Sequence, residues 1–172
     1  GMGIPYENNS KQLNYKKYNN AIYKFLKNHN SNVIFEPGRS IVGNSGVLIS
    51  KVTYIKETNN KNFIILDVGM NDLMRPALYG AKHKIIPAIK NSNKIKKTYE
   101  FVGPICETTD SFLILNKFQK LNEKDIVILC DVGAYGMSLS SNYNLRPKAI
   151  EILIKGSKIN IIKKRQKLLE II

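Results

Sequence analysis

From residue 47 onward, this 172-residue chain is a succession of short β-rich runs with no long helical stretch between them. Residues 47–56, 63–68, 83–89, 97–102, 126–130, 149–154 and 158–162 are rich in Val, Ile, Phe, Tyr and Thr and are separated by Gly, Asn and Pro. Those separators punctuate strands. Strands spaced this way can bury their inward faces only against one another, so the segment predicts a mostly β fold, an antiparallel sandwich or barrel. Residues 163–172 are expected to close it as a helix.

Ahead of residue 47 the texture differs. Tyr15, Tyr18, Ile22, Phe25 and Leu26 recur at helical spacing with Lys and Asn opposite. The pattern predicts an amphipathic helix over residues 14–28 whose aromatic stripe belongs to a core. Val33-Ile34-Phe35 follows as a run of buried-strand type and stops at Glu36-Pro37-Gly38-Arg39. A helix followed by a short buried strand is the rhythm of a parallel α/β sheet or barrel, whose functional loops sit at the C-terminal strand ends. Glu36 and Arg39 are therefore either active groups or a solvated ion pair on a surface turn. The boundary falls near residue 46, with residues 1–46 the tail of an α/β unit and residues 47–172 an all-β domain. Gly1 stands where an initiator Met would be expected, so the chain reads as a piece of a longer protein.

Lys and Arg number 27 against 13 Asp and Glu, a formal net charge of +14. Such an excess favours polyanionic partners when it is gathered on one face. Here the basic residues fall in short separated runs such as Lys16-Lys17 and Lys163-Lys164-Arg165, so they read as solvated surface. Neither nucleic acid nor membrane is expected as a partner. Cys106 and Cys130 form no Cys-x-x-Cys pair, which argues against a zinc site and against a disulfide framework, and no metal is expected. No apolar run approaches the roughly 18 residues of a membrane span. The default location is a reducing cytoplasm.

The connections carry more chemistry than turns require. Gly103-Pro104-Ile105-Cys106-Glu107 sets a thiol beside a carboxylate after a Gly-Pro turn, where packing asks for neither. Arg75 and Tyr79 lie four apart, so on one helical turn guanidinium and phenol would share a face. Gly133-Ala134-Tyr135-Gly136 brackets an aromatic hydroxyl with two glycines. Gly1-Met2-Gly3-Ile4-Pro5 suits a loop where backbone comes close to something.

In order, Glu36-Pro37-Gly38-Arg39-Ser40, the Met70-Asn71-Asp72-Leu73-Met74-Arg75-Pro76-Ala77-Leu78-Tyr79-Gly80 stretch, Gly103-Pro104-Ile105-Cys106-Glu107, Asp131-Val132-Gly133-Ala134-Tyr135-Gly136 and Ser140-Ser141-Asn142-Tyr143-Asn144 resemble the diaminopimelate decarboxylase family, along essentially the whole chain. Departures are small: Gly43-Asn44-Ser45-Gly46 stands where alanines are commoner, and Leu145 where serine is usual. The resemblance implies a fold-type III, alanine-racemase-like decarboxylase. Such an enzyme has a (β/α)8 barrel that binds pyridoxal 5′-phosphate and a C-terminal β-sandwich or barrel domain. Its active sites are shared across a homodimer interface.

Residues 1–46 would then be the last βα segment of that barrel and residues 47–172 the β domain. The lysine that holds the cofactor covalently would lie upstream, and this piece would be inactive alone. Without its barrel neighbours it would expose Ile22, Phe25, Ile34 and Phe35.

The same resemblance assigns Gly1, Glu36, Gly38, Arg39 and Tyr135 to the cofactor. Glu36 would face the ring nitrogen, and Gly1 and Gly38 the phosphate, where an absent Cβ permits close approach. Arg39, Arg75, Tyr79, Glu107 and Tyr135 would meet substrate. The arginines and Tyr79 suit its distal carboxylate and Glu107 its distal ammonium. Cys106, reaching the partner subunit's site, would return a proton to Cα once carbon dioxide has left. His83 and Cys130 are expected to be structural.

The implied reaction of the full-length protein converts meso-2,6-diaminopimelate to L-lysine, the last step of lysine biosynthesis. A decarboxylase of arginine, ornithine or carboxynorspermidine would share the Glu-Pro-Gly-Arg turn, but its substrate would leave guanidiniums unpaired. A catalytically dead dimerising remnant and a basic nucleic-acid-binding barrel are the remaining alternatives.

Overall fold

In a computed structural model, the structure describes residues 2–6, 11–91 and 95–172. Helix α1 (Tyr15–Asn28) opens where Asn14 caps it, its side chain accepting from the Lys17 N–H at 3.0 Å. The short helix α2 (Gly38–Val42) runs into a 3-10 turn (Gly43–Ser45). Strands β1 (Leu48–Glu57), β2 (Asn62–Leu66), β3 (Ile85–Pro87), β4 (Lys96–Val102), β5 (Ser111–Gln119) and β6 (Ile126–Leu129) form one sheet in the order β3-β6-β1-β2-β4-β5. The one parallel pairing in this sheet, β2 with β4, is bridged by a connection that includes helix α3 (Arg75–Tyr79) and β3. The hairpin β7 (Glu151–Lys155) and β8 (Lys158–Lys163) stands apart as a second sheet.

The six-stranded sheet curls until its two edges face each other. Its terminal strands β3 and β5 line a common cleft, and the Gln119 side chain spans the gap at one end. There its amide N–H donates to the Ile89 carbonyl and its oxygen accepts from the Asn91 N–H, both at 3.0 Å. A nearly closed barrel leaves little open edge.

Inside it, residues two apart point inward: Ile64 and Leu66, Tyr99 and Phe101, Val127 and Leu129, all essentially buried. On β1 the inward set begins at Leu48, Ser50 and Val52 and resumes at Ile55. A bulge between Val52 and Tyr54 inserts the extra residue that shifts the phase.

Several expectations change. Val33-Ile34-Phe35 forms no strand among the described residues, and Ile34 is 88% exposed. A buried strand needs neighbours on both sides, and no described strand lies beside it. For the same reason helix α1 buries none of its residues, and Tyr15, Tyr23 and Phe25 face outward. Phe25, Ile34 and Phe35 are exposed, as expected for this segment without barrel neighbours, whereas Ile22 is half-buried.

Strand β5 was not foreseen. The expected strand over residues 83–89 is shorter, Ile85–Pro87, with the Cys130 N–H donating to the Lys84 carbonyl before it and the Ala88 N–H to the Ile126 carbonyl after it. The closing helix is no more than a 3-10 turn at Leu168–Glu170, since β8 continues to Lys163 and a run of like charges follows it.

Two glycine-containing segments hold the front of the chain onto the sheet. The Val132 N–H donates to the Gly46 carbonyl and the Gly133 N–H to the Gly43 carbonyl, both at 3.0 Å. A Cβ on Gly133 would lie 1.9 Å from the Val42 carbonyl oxygen, and one on Gly46 would lie 2.7 Å from Gly133 Cα. Backbone must therefore touch backbone here. Gly133→Ala is expected to lower stability by about 1–3 kcal/mol, as overpacking does, read as a lower urea midpoint. An unshifted midpoint would show that the contact gives way freely.

Candidate active site

The Glu36-Pro37-Gly38-Arg39 turn is tightened by Ser40, whose hydroxyl and N–H both reach the Pro37 carbonyl, at 2.6 and 2.9 Å. No ion pair joins Glu36 to Arg39 among the described residues. Arg39 turns instead toward the loop after β6, its guanidinium carbon 5.6 Å from the centre of the Tyr135 ring. Tyr135 holds a left-handed backbone, φ 60°, a conformation that costs a non-glycine residue roughly 1–2 kcal/mol. The Gly43–Gly133 and Gly46–Val132 contacts place these two neighbours together.

Helix α3 supplies a second arginine. Gly80, at φ 62°, ends it with a left-handed cap. Arg75 is 5% exposed while Tyr79 is open to solvent, and the guanidinium lies 5.6 Å from the Tyr79 ring centre, so the two do share a face. It also faces the rings of Tyr135 at 5.7 Å and Tyr6 at 5.2 Å, and Arg39 faces Tyr6 at 5.8 Å. Two guanidiniums thus share two tyrosine faces, contacts worth about 0.5–2 kcal/mol each according to their desolvation. No carboxylate forms an ion pair with either arginine among the described residues, and Arg75 Nε is buried without a partner. A nearly buried cation in this state is set to receive an anion.

Beside this cluster a cleft of about 280 Å³ is lined by Met2, Gly3, Glu36, Gly38, Arg39 and Tyr135. At Gly3 and Gly38 a Cβ would meet nothing within 4 Å, so both backbones border open space. Carboxylate, guanidinium and phenol converge on one hollow. Gly1, the remaining residue expected there, lies outside the described residues.

Cys106 and Glu107 occupy a different place, on the loop between β4 and β5. That loop is built around Asp110, which is 3% exposed. One carboxylate oxygen accepts from the Met70 N–H and the other from the Ile105 N–H, each at 2.7 Å. A Cβ on Gly103 would sit 2.2 Å from the same carboxylate, which explains the glycine. Burial raises the Asp110 carboxyl above its ordinary value, against the lowering effect of the two N–H bonds.

Cys106 and Glu107 are exposed, and the Tyr143 hydroxyl donates to Glu107 Oε1 at 2.5 Å. That bond to an anionic acceptor raises the Tyr143 phenol. No hydrogen bond or ion pair among the described residues connects Cys106 or Glu107 with Glu36, Arg39 or Tyr135. The structure therefore gathers Glu36, Gly38, Arg39, Arg75, Tyr79 and Tyr135 at one site and sets Cys106 and Glu107, with Tyr143, at another.

Tyr6 and Tyr143 had no assigned role. Tyr143 stood inside a motif, whereas Tyr6 had only its place after the glycine-rich opening to mark it.

A nearly closed sheet bearing this arginine–tyrosine cleft defines the sheet-domain class of pyridoxal-dependent decarboxylases. The family model for the pyridoxal-dependent decarboxylase C-terminal sheet domain matches residues 14–133, and the chain belongs to that family. A diaminopimelate decarboxylase of Aquifex aeolicus is 39% identical over 166 residues, covering 96% of this chain and 39% of the relative. The crystal structure of diaminopimelate decarboxylase from Helicobacter pylori complexed with L-lysine superposes with a TM-score of 0.86 at 40% identity, over 99% of this chain and 42% of that one. A lysine/ornithine decarboxylase from Vibrio vulnificus complexed with cadaverine, at 21% identity and a TM-score of 0.68, covers 86% of this chain and 41% of that one and shares the fold alone. The chain spans about two fifths of the length of the relatives it matches. No helix among the described residues is long and apolar enough to cross a membrane.

His83 gives the site a pH signature. It is 2% exposed, and burial is the main cause that holds its proton affinity below the ordinary 6.5, with the nearby Arg75 and Arg39 adding to this and the Cys130 carbonyl opposing it. As pH falls through 6.5 the unfolded imidazole takes up a proton that the folded one refuses, so stability declines. Above 6.5 the contribution is complete. Asp72 and Asp110, whose carboxyls burial raises above 3.8, act in the opposite sense. The urea midpoint should fall between about pH 7.5 and pH 5.5, and His83→Gln should flatten that slope. An unchanged slope in the variant would contradict the assignment.

Proposed function

We propose that this chain is the C-terminal part of a pyridoxal-phosphate-dependent decarboxylase that converts meso-2,6-diaminopimelate to L-lysine and carbon dioxide. The observation that carries the reading is the pair of guanidiniums, one nearly buried, that share tyrosine rings without a carboxylate partner among the described residues. Diaminopimelate offers a distal carboxylate to such a pair, and ornithine and arginine do not. Leaving the guanidiniums unpaired discriminates far more strongly than losing a methylene would. The 39–41% identity to diaminopimelate decarboxylases supports the same substrate.

Residues 1–46 are read as the end of the cofactor-binding barrel and residues 47–172 as the β domain. The cleft fits a phosphorylated pyridine: Gly3 and Gly38 leave open space, and Glu36, Arg39 and Tyr135 surround it. When bound, pyridoxal 5′-phosphate would supply the electron sink for the pair of electrons left at Cα as carbon dioxide departs. Glu36 would hold the ring nitrogen in its protonated state as a nearby anion. Gly38, and Gly1 outside the described residues, would lie against the phosphate.

Arg39 and Arg75 would take the distal carboxylate through charge-assisted hydrogen bonds, with Tyr79 and Tyr135 beside it. Glu107, oriented by the Tyr143 hydroxyl, would hold the distal ammonium. The Cys106 thiol would deliver its proton to Cα. Because Cys106 and Glu107 stand on an exposed loop apart from the arginine cluster, they are read as serving the site of a second subunit in a homodimer. A cytoplasmic location goes with this reading.

The full-length protein should release carbon dioxide from meso-diaminopimelate and prefer it over arginine and ornithine in competition. Cys106→Ala should lower turnover by about 10²–10⁴-fold, the range of a general acid. Preference for ornithine would refute the substrate assignment, and undiminished turnover in the variant would remove Cys106 from the mechanism.

A further inference from the structure

The arginine–tyrosine cluster contains two side chains that the reaction as read does not use. His83 donates from Nδ1 to the Cys130 carbonyl at 3.0 Å, which leaves Nε2 of the neutral ring as a bare acceptor. That atom is buried and finds no partner among the described residues. The Tyr6 ring stands edge-on to the imidazole, centres 4.7 Å apart, and the buried Tyr6 hydroxyl also lacks a partner among the described residues. On the Tyr6 face sit both guanidiniums, Arg75 at 5.2 Å and Arg39 at 5.8 Å.

With Arg75 Nε, this makes three orphaned buried polar atoms around one ring. Folded proteins leave few such groups, and an apolar residue in place of His83 would fill the volume without burying an unpaired nitrogen. Packing alone does not call for this arrangement. It does give Arg75 an immobile wall: the imidazole, anchored to the strand end at Cys130, backs the tyrosine, and the tyrosine face carries the guanidinium.

We propose that Tyr6 and His83 are positioning residues that hold the Arg75 guanidinium ready for the distal carboxylate of the substrate. The proposal rests on the reading that Arg39 and Arg75 receive that carboxylate. The wall matters for ligands that carry the group and is irrelevant to those that lack it.

The test uses the full-length protein with its pyridoxal cofactor, meso-diaminopimelate as substrate, and cadaverine, a diamine that lacks the distal carboxylate, as competitive inhibitor. His83→Asn keeps an N–H toward Cys130 and removes the Nε2 edge. Tyr6→Leu removes the ring face and Tyr6→Phe retains it. In His83→Asn and Tyr6→Leu the KM for diaminopimelate should rise at least roughly tenfold with kcat within about twofold, while inhibition by cadaverine is unchanged. Tyr6→Phe should keep the wild-type KM.

Equal weakening of both ligands, unaltered KM, or a Tyr6→Phe that behaves as Tyr6→Leu overturns the proposal. The two Tyr6 variants decide it even where His83→Asn fails to fold. A wild-type protein that turns over no diaminopimelate overturns the reading beneath the proposal and the proposal with it, whereas activity with unmoved selectivity overturns the proposal alone.

Discussion

The chemistry at the front of this domain rests on a charge constraint: Arg39 and Arg75 are held near each other with no carboxylate paired to either among the described residues. In water such a pair would repel weakly and reorient. Here Arg75 is almost sealed from solvent, and the quadrupoles of Tyr6, Tyr79 and Tyr135 are what the protein offers in place of counter-charge. Ring faces attract a cation without neutralising it, so the cluster keeps its affinity for an anion. It also tolerates no further positive charge, in keeping with a His83 whose proton affinity is depressed.

Two backbone devices bring the parts within range. The contacts of Gly43 and Gly46 with Val132 and Gly133 join the Arg39 turn to the Tyr135 loop, two segments almost a hundred residues apart in sequence. Asp110 does the same for the second loop, fixing the backbone at Met70 and Ile105 with one buried carboxylate. In both cases glycine is required because a neighbouring oxygen occupies the place of a Cβ. The sheet between them is a rigid frame whose buried Tyr99, Phe101, Ile64 and Leu129 have no part in the chemistry.

Much of this could be read from residue order. Helix α1 and most strands follow from periodicity, and the shared face of Arg75 and Tyr79 follows from their four-residue spacing. Strand β5 escaped because Phe112, Leu113, Ile114 and Leu115 are apolar without alternation and Asn116-Lys117 interrupts them. Tyr6 escaped for another reason: its meaning lies in meeting Arg39, Arg75 and His83, a convergence made by the fold and invisible to local spacing. Asp110 drew no reading of its own, because its role is to accept backbone N–H groups, which leaves no mark on neighbouring side chains. The stripe of α1 and the run Val33-Ile34-Phe35 were read as core and buried strand, whereas here they are only partly covered, by each other, with the Tyr18 and Phe35 rings 6.1 Å apart and Ile34 exposed.

In the function proposed above, this chain would contribute to a site that two subunits complete, with Arg39 acting at one cofactor and Cys106 at the other. Mixing full-length Arg39→Ala and Cys106→Ala proteins under conditions of subunit exchange tests that directly. In a symmetric dimer, half of the assemblies become mixed, and each of those has one site with both residues intact, so decarboxylation of diaminopimelate should recover to about a quarter of the wild-type rate. No recovery, with mixed dimers demonstrated, would place both residues in the same subunit's site and contradict the account.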